Sequence, residues 1–159
     1  MAMHTWFECK IRYEKTMENG MQKKVTEPYL VDALSFTEAE ARIIEEMTPF
    51  ISGEFTVSDI KRANYSELFP SDEESADRWF KCKLIFITLD EKSGAEKKTS
   101  TQVLVQAADL RDAVKKLDEG MKGTMADYQI GMVSETPLMD VYPYSAEPND
   151  KPEFDPSKA

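Results

Sequence analysis

Apolar and polar residues alternate near the start of the chain, and the same alternation returns in its second half. Within residues 6–13, Phe7, Cys9 and Ile11 fall on one side, and the residues that separate them are charged. Residues 79–86 repeat this pattern with the apolar side intact. A period of two residues is typical of a strand with one buried face, so we predict a strand in each place.

The residues themselves are repeated as well as the pattern. Residues 6–11 read WFECKI, and residues 79–84 read WFKCKL. The correspondence continues, at an offset of 73 or 74 residues, to the closing pairs Phe69-Pro70 and Tyr142-Pro143. A period of this length indicates a doubled structural unit.

A second strand is predicted in each copy. Polar loops with a central glycine, at 14–24 and 88–98, lead to further extended segments at 25–33 and 99–107. This order predicts a hairpin in each copy. Pro28 has no amide hydrogen for a ladder, which favours an edge or a bulge at that position.

A helix is predicted after each hairpin. Ser35 and Glu38 have the spacing of a helix cap and its third residue, and Asp109 and Asp112 hold the corresponding positions. Thr37 is a competing cap, but the alignment of the two copies favours Ser35. The apolar stripes that follow have helical spacing and consist of Phe36, Ala39, Ile43, Ile44 and Met47 in the first copy and Leu110, Ala113, Val114, Leu117 and Met121 in the second.

Each copy ends in an extended segment, at 55–69 or 128–142. A change of spacing after Val57, with Gly131 in the second copy, predicts a bulge or bend. The fold class predicted is therefore α+β, with two tandem strand-strand-helix-strand repeats. Each repeat is an antiparallel sheet covered by one helix, and we expect the two to pack with pseudo-two-fold symmetry, because units this small are marginal alone.

Four segments divide the chain on this view. The first repeat occupies 1–70, an acidic linker 71–77, the second repeat 78–143 and a proline-rich acidic tail 144–159. The tail has no periodicity, so we expect it to be flexible or to become ordered against a partner.

Composition predicts a cytoplasmic protein that does not enter a membrane. No apolar run approaches the roughly 18 residues that a membrane-spanning helix needs, and the first residues lack the layout of a signal peptide. Cys9 and Cys82 hold matching positions and alternate inward, which predicts buried thiols rather than a disulfide.

Aromatic and basic residues share the outward face of the first strand in each copy. Rings on strands can stack on bases at about 1–3 kcal/mol per base while ammonium groups meet phosphates. The pattern indicates a surface for single-stranded nucleic acid, made of Trp6, Lys10, Arg12, Trp79, Lys81 and Lys83. The alternative, which we favour for the rings themselves, is that both tryptophans are buried between the copies.

Residues 61–65 are a second candidate because the two copies differ there. Lys61, Arg62 and Tyr65 are suited to a phosphate or an acidic partner, whereas residues 134–138 have a different character. Drift on a solvated edge strand explains the same residues, and lysine at an edge also discourages aggregation.

The net charge of −10 supports a second functional hypothesis. An acidic protein-interaction module, such as an inhibitor of a host factor or an assembly component, would face a basic protein partner. Both hypotheses are non-catalytic, since the chain has one histidine, His4, and no recognisable nucleophile motif, phosphate loop or metal-ligand spacing. We therefore expect no enzyme activity, no cofactor and no metal. The acids of the linker lack the order of a calcium loop.

Three motifs resemble a known family. They are the Trp-Phe-x-Cys-Lys strand, the run from Tyr29 to Glu40, and the closing aromatic-proline pairs. They look like an uncharacterised family of Bacteroidales bacteria and their phages, a domain of unknown function that would cover residues 4–143. The resemblance implies a phage or mobile-element context and carries over no site residues.

Overall fold

The computed structural model describes residues 5–124 and 127–143, so the predictions for the tail at 144–159 lie outside the described residues. The described elements are, in chain order, β1 (Trp6–Thr16), β2 (Gln22–Asp32), α1 (Phe36–Met47), β3 (Phe55–Ala63), β4 (Glu67–Phe69), β5 (Arg78–Leu89), β6 (Glu96–Ala107), α2 (Leu110–Gly120), β7 (Asp127–Glu135) and β8 (Asp140–Tyr142).

The first of two compact units contains the described residues 5–63 and 139–143. Its sheet has the order β3-β1-β2-β8, in which β8 runs parallel to β2 and the other neighbours are antiparallel. Helix α1 packs on the face that carries the alternating apolar residues. The core there consists of Phe7, Cys9, Ile11, Val31, Ala33, Ala39, Ile43 and Met47.

The second unit, Asn64–Leu138, repeats this plan. Its sheet has the order β4-β6-β5-β7, with β4 parallel to β6 and α2 on the apolar face. The core consists of Phe80, Cys82, Leu84, Val103, Val105, Ala107, Ala113, Leu117 and Met121. The predicted α+β class, with two similar units of sheet and helix, is confirmed.

Both helices begin with the predicted caps. The Ser35 hydroxyl accepts a hydrogen bond from the Glu38 N–H at 3.1 Å, and the Asp109 carboxylate accepts one from the Asp112 N–H at 2.8 Å. In each copy the third residue's carboxylate accepts a second bond from the N–H just before the cap, at 2.6 and 2.9 Å. Two backbone N–H groups at each helix start thus find side-chain acceptors. Ser35, and not Thr37, is the cap of α1.

The predicted bulges also occur. The register of β1 with β3 shifts so that Ser58 is an extra residue, and the register of β5 with β7 shifts in the same way at Gly131. A Cβ atom on Gly131 would lie 3.0 Å from the Ile85 side chain. The missing side chain therefore allows close packing at this bulge.

The prediction of one continuous extended segment at the end of each copy is wrong. Each segment breaks into a long strand and a short one, and the two strands join different sheets. After β3 ends at Ala63, β4 pairs with β6, and after β7 ends, β8 pairs with β2. The physical reason is that backbone groups at the open edges of β2 and β6 need hydrogen-bond partners, and in each case a short strand of the other copy supplies them. Each sheet is thus completed by the other repeat in sequence, and we call this arrangement the strand exchange.

Residues 71–77 are attached to the second unit rather than left in solvent as a simple linker. Lys116 of α2 donates to the Glu73 carboxylate at 2.7 Å, and the Ser71 N–H donates to the Gln106 side chain at 2.9 Å. Ala76 is buried. The hydrogen bond from Lys116 fixes one carboxylate of this acidic segment, whereas its other acidic side chains are exposed.

In the part of the chain that the structure describes, neither helix has the length and apolar content that crossing a bilayer requires.

Candidate functional site

The two tryptophans predicted to stack on bases are buried. Trp6 is 3% exposed and Trp79 is 5% exposed, although alternation places both on the sheet faces opposite the helices. Stacking on a base requires an open ring face. Both rings are therefore buried, and the predicted platform has no accessible ring at these two positions.

The basic residues on the outer face of the first sheet alternate with acids. Lys61 lies directly across from Glu8, and Lys10 lies directly across from Asp59. Opposite charges at facing positions of antiparallel strands attract one another and reduce the local field. Arg12 is exposed near the end of this face, opposite Thr26 and Thr56. These three predicted cations share a face but do not form a uniformly basic surface.

The other predicted residues lie elsewhere. The Arg62 guanidinium is on the helix side of the first sheet, 5.7 Å from the Phe7 ring centre and 5.9 Å from that of Phe36, where it makes a cation–π contact. Tyr65 is half-buried and belongs to the second unit. The structure therefore does not bring Arg62 together with Lys61 on one surface.

Lys81 and Lys83 lie half-buried on the outer face of β5. Their neighbours across the strands are Leu104 and Ser134 for Lys81 and Gln102 and Met132 for Lys83. Among the residues that the structure describes, no carboxylate lies within 4 Å of either ammonium group. Unlike Lys10 and Lys61, these two lysines have no acidic residue directly across the strands.

Sequence reasoning missed an exposed apolar surface around α1. Leu34, just before the cap, and Phe50, just after the helix, are each 76% exposed, and Phe36 and Ile44 on the helix are also open to solvent. The exposed acids Glu40 and Glu45 lie on the same helix. We call these six residues the α1 surface.

The duplicate helix provides an internal comparison for this surface. At the matching positions the second copy has Ala108 for Leu34 and Asp118 for Ile44. Helix α1 contains four glutamates and one arginine, whereas α2 contains three acidic and three basic residues. Because both helices cover their sheets in the same way, the fold itself requires neither an apolar residue at the positions of Leu34 and Ile44 nor the acidic excess of α1. The stripe predicted for α1 is wrong at Phe36 and Ile44, which the structure leaves open to solvent. The signal was present in the aligned copies, where Asp118 stands for Ile44.

A shallow depression of about 450 Å³ lies at the hairpin end of the first sheet. It is lined by Arg12, Tyr13, Glu14, Lys24, Glu54, Phe55 and Thr56. Two basic and two acidic residues give it no strong preference for either sign of charge. Within residues 5–124 and 127–143, no group of three histidine, cysteine, aspartate or glutamate side chains is arranged to hold a metal ion.

The duplicated sheet-and-helix units define an α+β protein whose exposed features lie on a helix and on strand faces. Residues 5–144 match a family model described as "Domain of unknown function (DUF4494)", and the chain belongs to this family. The match confirms the resemblance to an uncharacterised family. No curated protein and no solved structure matches the chain.

Proposed function

We propose that this chain is a non-catalytic protein-interaction module that binds a basic, partly apolar surface of a partner protein through the α1 surface. The observation that carries the proposal is that Leu34 and Ile44 are exposed at or near α1, whereas the second copy has Ala108 and Asp118 at the matching positions. Large exposed apolar side chains beside exposed acids suit a contact that combines desolvation with charge attraction.

Burial and charge support this hypothesis over nucleic-acid binding. The tryptophan rings are enclosed, and the cations of the first sheet face acids across the strands. A polyanion needs a continuous basic patch, and the net charge of −10 opposes its approach at long range. The phage or mobile-element context that the resemblance implies suits a module that blocks or recruits a host protein.

The test compares matched variants of the two helices. Tagged protein is used to capture partners from the native host, and each captured protein is then produced and its affinity measured directly. We expect Leu34→Ser with Phe50→Ser to weaken the measured affinity at least tenfold, since each removed side chain is an apolar anchor. Leu110→Ser, at the exposed α2 position that matches Phe36, is the control and should leave affinity unchanged.

Two results would contradict the proposal. One is equal loss of affinity in the α1 and α2 variants, which would place the contact elsewhere. The other is salt-sensitive binding of a fluorescent single-stranded oligonucleotide that Lys81→Ala with Lys83→Ala abolishes, which would restore the nucleic-acid hypothesis on the outer face of β5.

A further inference from the structure

A cluster of three tyrosines and one glutamate lies on the core side of the first sheet. The Tyr13 hydroxyl donates to Oε1 of Glu27 at 2.9 Å, and the Tyr29 hydroxyl donates to the same oxygen at 3.3 Å. The Tyr142 ring stacks on Tyr29, with ring centres 6.1 Å apart. Tyr142 arrives through β8, so the strand exchange completes this cluster. We call these four residues the tyrosine–glutamate cluster.

The fold does not require these polar groups. At the matching positions the second copy has Phe86 for Tyr13, Thr101 for Glu27, Val103 for Tyr29 and Phe69 for Tyr142. The second unit builds the same sheet and helix with these largely apolar side chains. A carboxylate held at the rim of a core, where the duplicate has none, therefore points to a task other than folding.

The hydrogen bonds leave one carboxylate oxygen for another partner. Both phenols donate to Oε1, and Oε2 faces the ammonium group of Lys15 at 3.8 Å, which exceeds a direct hydrogen-bond distance. Half of the Lys15 side chain is exposed, whereas the Glu27 side chain is only 13% exposed. A cation thus already lies near this oxygen, but it is held loosely.

The tyrosines act as neutral donors in this cluster. Burial, followed by the hydrogen bond to Glu27, raises the pKa of Tyr13 above its ordinary value, and burial raises the pKa of Tyr29 as well. Burial likewise raises the pKa of Tyr142, to about 12, with smaller effects from Asp140 and Glu46. The rings therefore stay uncharged at neutral pH, and their faces remain attractive to a positive charge.

We propose that the tyrosine–glutamate cluster binds the cationic side chain of a lysine or arginine on a partner protein, with Lys15 as an internal competitor. An organic cation gains from aromatic faces and from a carboxylate at once, and partial burial strengthens both attractions. This proposal deepens the preference for a basic partner that the proposed function includes. It is tested with a small ligand alone, so its outcome does not depend on the α1 surface.

The test is an NMR titration of the full chain with Nα-acetyl-lysine methylamide as the probe. The neutral control ligand is the norleucine analogue, which has the same aliphatic stem and no charge. We expect saturable shifts of the tyrosine ring resonances with the lysine probe and none with the control. Equal responses to both ligands, or no response to the lysine probe, would overturn the proposal.

Three variants locate the binding. Glu27→Gln keeps an oxygen acceptor for the phenols but removes the charge, so we expect affinity to fall about tenfold. Glu14→Gln removes one exposed acid from the same hairpin and should change nothing. Lys15→Ala removes the competitor and should tighten binding severalfold. An equal loss of affinity for the lysine probe in Glu27→Gln and Glu14→Gln would show that any nearby negative charge has the same effect, and would overturn the proposal. If Glu27→Gln does not fold, the Lys15→Ala variant decides the test, and weaker or unchanged binding of the lysine probe by that variant would overturn the proposal.

Discussion

At the scale of single residues, the two cysteines show how burial sets reactivity. Cys9 and Cys82 hold the same place in the two cores, and both thiols are fully buried. Burial, with a smaller effect from Glu8, raises the pKa of Cys9 to about 12, and burial raises that of Cys82 to about 11. The thiolate is the reactive form, so both groups are inert in the native protein.

We therefore predict that a chromogenic thiol reagent at about pH 8 labels the folded protein slowly and the denatured protein with two equivalents. The same shifts predict that stability falls as pH rises above about 8.5, where unfolded thiols lose protons and the folded ones keep them. Urea denaturation followed by circular dichroism at increasing pH measures this fall. Rapid labelling of one thiol under native conditions would contradict the burial of that cysteine.

At the scale of elements, each helix starts with the same pair of reciprocal hydrogen bonds and holds the exchanged strand with a cation. Lys116 of α2 binds Glu73, beyond β4, and Arg42 at the matching position of α1 donates to the Pro143 carbonyl at 3.2 Å, beyond β8. The hydrogen bond from the Ala108 N–H, with help from Lys116, lowers the pKa of Asp112. In the second unit, Lys116 thus links Asp112 at the start of α2 to the segment that follows β4.

The caps lead to a prediction about neighbouring residues. Ser35→Ala should lower the free energy of unfolding by about 1 kcal/mol, because the Glu38 N–H loses its acceptor. Thr37→Ala lies two residues away and should cost much less, since alanine is the better helix former. Urea denaturation of both variants is the measurement. A larger loss for Thr37→Ala would show that the cap is misplaced.

The docking of β4 on α2 gives a prediction of unusual sign. A Cβ atom on Gly120 would lie 2.8 Å from the Phe69 ring of β4. Glycine to alanine in a helix commonly stabilises by about 1 kcal/mol, but here the ring must shift. We expect Gly120→Ala to lower the melting temperature and Phe69→Leu in the same chain to recover part of the loss. Stabilisation by Gly120→Ala alone would show that the ring moves without cost.

At the scale of the whole molecule, the strand exchange divides the chain differently from its sequence repeats. Residues 140–142 belong to the second repeat in sequence but to the first sheet in space, and residues 67–69 show the converse. A substitution near the end of the chain should therefore destabilise strands near its beginning.

Val141→Asp tests this directly. Val141 is buried on β8 beside Leu30 of β2, so a charge there should destabilise the first unit by about 3 kcal/mol. We expect amide hydrogen exchange to accelerate in β1 and β2 before it does in β5 and β6. Asp140→Ala, at the exposed neighbouring position, is the control. Faster exchange confined to β5 and β6 would contradict the exchanged topology.

Most of the fold could be predicted because it depends on local patterns. Alternation placed β1 and β5, the cap spacing placed Ser35, and broken periodicity at Gly131 placed a bulge. The strand exchange could not be predicted, because the two sheets offer nearly identical edges and the apolar pair Leu68-Phe69 suits either. For the same reason the sequence did not indicate that Tyr142 would join Tyr29. Alternation also predicts the side of the strand on which Trp6 lies, but it does not predict how much of the ring neighbouring residues bury.

The strand exchange has a consequence for the history of the gene. Recombination that deletes either half also removes a strand from the sheet that stays behind. A chain shortened to a single repeat would therefore have an incomplete sheet and a less stable fold. We expect selection to keep both halves in one gene. The two halves can meanwhile differ in their side chains, as they do at the α1 surface and the tyrosine–glutamate cluster, while they share one scaffold.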